Sequence, residues 1–231
     1  MKKVLFILIA MASFSLKGQA QLYLIDKFTL ADSDSEYGIY MDIDVKEGEK
    51  ILYDLQAYSP EQMARAELSA NEVKSFISSL EKTIDVYEKW SKIARNNNYK
   101  LLSKRFPTTF ADQNIYFTQE NKWYIEKGVD MWAMFFVDAE GDCHLILESD
   151  YMTSSELAAT SSSVGLSFAG SLLRSGIIGI SSEKTKIEVG RYCGGSSLSF
   201  KSSDEVKEFI KKLQDALVRK MQNITDGKNL K

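Results

Sequence analysis

Carboxylates are the side chains best placed for chemistry in this 231-residue chain. Ile39, Met41, Ile43 and Val45 alternate with Tyr40, Asp42 and Asp44. After the polar run Lys46–Lys50, Ile51, Tyr53, Leu55 and Ala57 alternate with Leu52, Asp54 and Gln56. Period-two alternation marks half-buried strands, and the pair reads as a β-hairpin. If Val45 faces Ile51, Asp42 lies opposite Asp54, with Asp44 beside them. Like charges so opposed destabilise a sheet. A bound cation or substrate amine would relieve the repulsion, and paired carboxylates are also the acid and base of a glycosidase. Asp42 and Asp54 are therefore the catalytic candidates, against the plainer reading of a solvated hairpin face.

Cys143 and Cys193 are the only cysteines. In an exported protein two thiols most simply form one disulfide. Closing a loop of about 50 residues would stabilise the chain by ~4 kcal/mol in the chain-entropy account. A catalytic thiol would need His144, the single histidine, as its base. Cys143 and His144 adjoin in an expected strand, so their side chains point to opposite faces.

Other chemistries are thinly represented. Gly165-Leu166-Ser167-Phe168-Ala169 loosely matches a nucleophile elbow, but His144 precedes Ser167, against the Ser, acid, His order of that hydrolase type. Ser79–Lys82 and Ser181–Lys184 match S-x-x-K without the companion motifs. The acidic loops Asp32–Glu36 and Asp138–Asp142 do not continue as calcium-binding loops. There is no Gly-rich phosphate loop and no metal-spaced Cys/His set, so neither metal nor cofactor is expected.

The elements that must position these residues are an antiparallel sheet and two helices. Ser69 and Glu72 form a capping-box signature. Val73, Phe76, Ile77, Leu80, Ile84, Tyr87 and Ala94 follow at helical spacing up to Asn96-Asn97-Asn98. A second helix starts at about Ser203, capped by Ser202 and Glu205, with the stripe Val206, Phe209, Ile210, Leu213, Leu217 and Met221. The two helix starts align residue for residue over Ser69–Leu80 and Ser202–Leu213, which fits either an internal duplication or convergence on one capping pattern.

Strands are expected at Ile115–Thr118, Trp123–Glu126, Met131–Val137 and Cys143–Glu148. Met131–Val137 has no polar residue and reads as a central strand covered on both faces. Gly194-Gly195 reads as the turn of a hairpin joining Ile187–Cys193 to Ser196–Phe200.

Leu157–Ser181 breaks the pattern. It is rich in Ser, Gly and Ala and carries one charge, Arg174. Val164–Ile180 is 17 residues long with a central Arg and four Gly, a poor membrane span. It reads as an insertion that completes the core, or as a docking surface. Arg174 and Phe168 within it, and Trp123 outside it, are the binding candidates; Trp90, Trp123 and Trp132 could line a sugar or apolar pocket.

Met1-Lys2-Lys3, the thirteen uncharged residues Val4–Leu16 and Gly18-Gln19-Ala20 have the layout of a bacterial secretory signal peptide. Thirteen helical residues span about 20 Å against about 30 Å of hydrocarbon, so cleavage after Ala20 is expected rather than anchoring. Cleavage removes three lysines and no acid, and the formal charge moves from −3 to −6. An acidic exported chain has little attraction for nucleic acid or anionic membrane.

The expectation is therefore a single α+β domain over 21–231: an antiparallel sheet of about seven to eight strands with two amphipathic helices on it. Its leading function is non-catalytic binding of a small ligand or envelope protein in the periplasm or outside the cell. The alternatives are a carboxylate-dependent, glycan-directed hydrolase and an envelope component docking through 157–181.

Overall fold

The computed structural model describes residues 21–31, 33–44, 48–154 and 191–228. The leader expected over 1–20 and the segment 157–181, with Phe168 and Arg174, lie outside the described residues.

The chain forms two four-stranded antiparallel runs, each followed by a helix. The first is β1 (Gln21–Leu30), β2 (Ser33–Asp44), β3 (Gly48–Ala57) and β4 (Ala64–Ser69), paired in that order and leading into α1 (Ala70–Asn96). The second is β5 (Leu102–Arg105), β8 (Met131–Val137), β9 (Cys143–Ser149) and β12 (Ser196–Phe200), paired in that order and leading into α2 (Ser203–Lys228). A hairpin of β6 (Gln113–Gln119) and β7 (Lys122–Val129) adds to the free edge of β4. The aligned helix starts thus close two runs of the same strand order.

One strand joins the two wings. The first half of β3 pairs with β2, and its end, Gln56 and Ala57, pairs with Ser197 and Ser196 of β12. The result is one ten-stranded sheet forked at β3, more strands than the sequence pattern counted. The strands β10 (Met152–Ser154) and β11 (Arg191–Cys193) form a separate pair. Gly194-Gly195 therefore does not close a hairpin: β11 pairs with β10, while β12 pairs with β9 and β3. Gly195, at φ +109°, passes the chain between these partners beside the Tyr58 ring.

Local chemistry explains the elements. Ser69 accepts the Glu72 N–H, and the Glu72 carboxylate accepts the Ser69 N–H, so the capping box is complete. The β6–β7 turn is Glu120-Asn121, both at positive φ, the conformation of a two-residue hairpin turn matched to strand twist. Both helices pack on one face of the sheet. Leu80, Val206 and Leu213 are fully buried there, and Phe209 meets the rings of Phe28, Tyr53 and Phe200.

The apolar run of β8 does not behave as expected. Met131, Ala133, Phe135 and Val137 are buried under the helices. Trp132, Met134 and Phe136 point to the other face and, among the described residues, remain half-buried.

Cys143 and Cys193 are both buried and both free, so the expected disulfide does not form. Cys143 lies on β9 against Val137, whereas Cys193 lies on β11 against Met152. Burial pushes the Cys193 thiol pKa up, keeping it protonated and unreactive. Native protein treated with iodoacetamide should stay unlabelled, while protein in guanidinium should gain two carbamidomethyl groups by intact mass without prior reduction.

Candidate functional site

The sheet face opposite the helices carries the polar side chains of β2, β3, β4, β6 and β7. The register there differs from the one expected: Asp42 pairs with Lys50, not with Asp54. Asp54 instead lies opposite Arg65 of β4. The like-charge opposition that singled out Asp42 and Asp54 is absent, because Asp42 is in register with Lys50 and Asp54 pairs with Arg65. The same holds for buried Glu67, which bonds Lys50 at 3.0 Å, the Tyr116 hydroxyl at 2.7 Å and the Asn114 amide at 3.1 Å.

Around Asp54 the bonds close into a ring. Arg65 Nε donates to Asp54 Oδ1 at 2.6 Å, and Arg65 Nη2 donates to the Tyr40 hydroxyl at 3.0 Å. Tyr40 in turn donates to Asp54 Oδ2 at 3.0 Å, and the Gly38 N–H donates to the same oxygen at 2.7 Å. Burial, and next the Asp54 charge, push the Tyr40 pKa up, so this hydroxyl stays a donor. The guanidinium lies 4.1 Å from the Tyr40 ring centroid and 5.1 Å from that of Trp123, a double cation–π contact. Gly38 is required by this packing: a Cβ there would sit 2.4 Å from the Tyr40 ring.

Arg65 and Asp54 also line a surface cavity of about 380 Å³ at the fork, where β2 leaves β3 and β12 joins it. Its walls come from Ser35–Tyr37, Asp54–Ala57 and the β3–β4 connection. Two sequence candidates, Asp54 and Trp123, thus converge on one residue that the sequence reading missed, Arg65. Ala64, Ala66 and Leu68 alternate with Arg65, Glu67 and Ser69, the signal that could have found this strand, but the run is short and alanine is a weak β-former. Trp90 is placed elsewhere, stacked on Phe106 at 5.0 Å, and Trp132 donates to Glu148 at 2.9 Å.

The single histidine has its own surroundings. His144 Nε2 lies 3.1 Å from Asp138 Oδ2, and Nδ1 lies 3.5 Å from Ser199 Oγ. Cys143 faces the helix-side core and His144 the other face, as their adjacency in a strand implies. Ser, His and Asp in contact would be the parts of an acyl-transfer site, but 3.5 Å is long for proton transfer and His144 is only 7% exposed. The geometry is that of a staple tying the β8–β9 turn to β12. Asp138 Oδ1 also accepts the Gly141 and Asp142 N–H groups, at 2.7 and 2.8 Å.

Desolvation alone would raise the Asp138 pKa, but the His144 bond and the two backbone bonds together hold it below the usual aspartate value. A carboxyl depressed in the folded state adds stability above its unfolded pKa, and that stability is lost as pH falls through the folded value. Asp138→Asn should therefore lower the thermal midpoint at pH 6 and bring it toward that of the parent near pH 2.5.

Among the described residues no cluster of three or more Cys, His, Asp or Glu could hold a metal ion, and no helix is long and apolar enough to cross a membrane. No protein family, no curated protein and no solved structure matches this chain.

Proposed function

We propose that this chain is an exported, non-catalytic binding module whose ligand occupies the cavity at the fork of β3. The observation that supports the reading is the Arg65 clamp. A guanidinium fixed by a carboxylate, a phenol and two aromatic faces is pre-organised, so little side-chain entropy is lost when it meets a ligand. Its Nη1 amine takes part in none of the bonds described above, and Arg65 lines the cavity. Clefts of a few hundred Å³ with a few fixed polar groups are the usual form of small-ligand sites. The pairing of Asp42 with Lys50 and of Asp54 with Arg65 leads away from an acid–base pair and from a carboxylate hydrolase. Export is read from the layout of residues 1–20.

Native mass spectrometry on mature protein gently extracted from its own host tests the proposal. A bound small mass that is lost in Arg65→Ala is the expected result. A bare chain, or a mass that Arg65→Ala retains, overturns it.

A further inference from the structure

We infer that the ligand of the fork cavity is a neutral, hydroxyl-rich molecule, a carbohydrate; this rests on the binding reading above and names its ligand class. The charged groups lining the cavity are already matched: Asp54 with Arg65 at 2.6 Å, and Glu36 with Lys27 across the β1–β2 pair. An anion entering the cavity would meet the Asp54 and Glu36 carboxylates, and a cation would meet Arg65. Neither finds an uncompensated charge, so what an ion gains from one wall group is offset by repulsion from the group paired with it.

An apolar ligand fails for the opposite reason. It would cover the Gln56 amide and the Arg65 Nη1 amine without offering them hydrogen bonds, and covered polar groups left unmatched are penalised. A hydroxyl both donates and accepts. Adjacent hydroxyls on a ring suit a planar amide that presents a donor and an acceptor side by side, as Gln56 does, with the Arg65 Nη1 amine as a further donor. The Ser59 residue adds a further polar wall, and Met63, 55% exposed, offers an apolar surface for the C–H face of a sugar ring.

The test is saturation-transfer NMR on residues 21–231 with glucose, galactose, mannose, N-acetylglucosamine and their β-linked dimers, beside succinate as an anionic probe and putrescine as a cationic one. At least one neutral sugar should show transfer. Its Kd should weaken about fivefold in Gln56→Ala, the loss of one amide's bonding, with the thermal midpoint unchanged because Gln56 is exposed. Sugar signals indifferent to Gln56→Ala overturn the assignment to this cavity. Transfer from succinate or putrescine alone, lost in Arg65→Gln, overturns the carbohydrate class and leaves the binding reading standing. If all probes are silent, the mass carried by host-extracted protein decides. A carbohydrate composition supports the inference, another composition overturns the class, and no bound mass overturns both readings.

Discussion

Phe209→Ala should destabilise the folded chain by about 3–5 kcal/mol, the range for removing a large aromatic side chain from a well-packed core. Phe209 is 1% exposed, and its ring centroid lies 4.9 Å from Phe28, 5.5 Å from Tyr53 and 5.7 Å from Phe200. Those rings belong to β1, β3 and β12, so one side chain of α2 packs against both wings and against the strand they share. Guanidinium unfolding should show the midpoint falling with an unchanged slope, which separates lost stability from a changed unfolded state. The thermal midpoint should drop by roughly 6–20 °C, at about 2–4 °C per kcal/mol for a chain of this size. Phe209→Leu should cost far less, because it keeps most of the buried volume. A loss below about 1 kcal/mol for Phe209→Ala would show that the wings do not depend on a common core.

Arg65→Ala is the second large effect, about 2–3 kcal/mol. Removing one partner of a buried ion pair typically costs 3–5 kcal/mol, because the remaining charge is left without compensation. The lower figure allows for solvent, since the Asp54 side chain is 21% exposed. Arg65→Lys should recover only part of the loss, because an ammonium cannot bond Asp54 and Tyr40 at once while lying flat between two rings. Asp54→Asn should be milder than Arg65→Ala, since an amide oxygen can still accept the Gly38 N–H. In a double-mutant cycle the Arg65→Ala and Asp54→Ala losses should fall short of additivity by about 1 kcal/mol or more. Strict additivity would mean that the ring of bonds contributes nothing beyond its separate members.

Much of the framework was legible in single residues. Ser69 and Glu72 marked the start of α1, and Ser202 and Glu205 that of α2, because capping chemistry is local. The stripe from Val73 to Ala94 is buried as its spacing required. The hairpin of β2 and β3 was visible, but its register was not. The expected turn put Val45 against Ile51, whereas Met41 faces Ile51 in the structure. Register is set by turn geometry and by what each face packs on, and neither is written in the alternation itself. That slip moved Asp54 away from Asp42 to the level of Gly38, whose N–H it accepts, while Arg65 lies opposite it on β4, the strand on its other side. Arg65 was missed because its strand is short and alanine-rich, and because its partners come from three other strands. Trp123 was a reasonable candidate on residue type alone; the contact that gives it a role is 58 positions from Arg65 in the chain. The cysteines misled for a similar reason. Two thiols in a chain expected to be exported suggest a bridge, but β9 and β11 belong to different pairings.

The seam between β12 and β3 has a consequence for the order of assembly. Within each wing most strand partners are near neighbours along the chain and can pair as soon as they exist. The seam joins Ala57 to Ser196 and Gln56 to Ser197, about 140 positions apart, and such closures come late because loop entropy must be overcome first. The fork cavity is framed at that seam, by the end of β3. Its lining nevertheless comes wholly from Ser35–Tyr37, Asp54–Ala57 and the connection to Arg65, so every wall residue belongs to the first wing and is synthesised well before the seam can close.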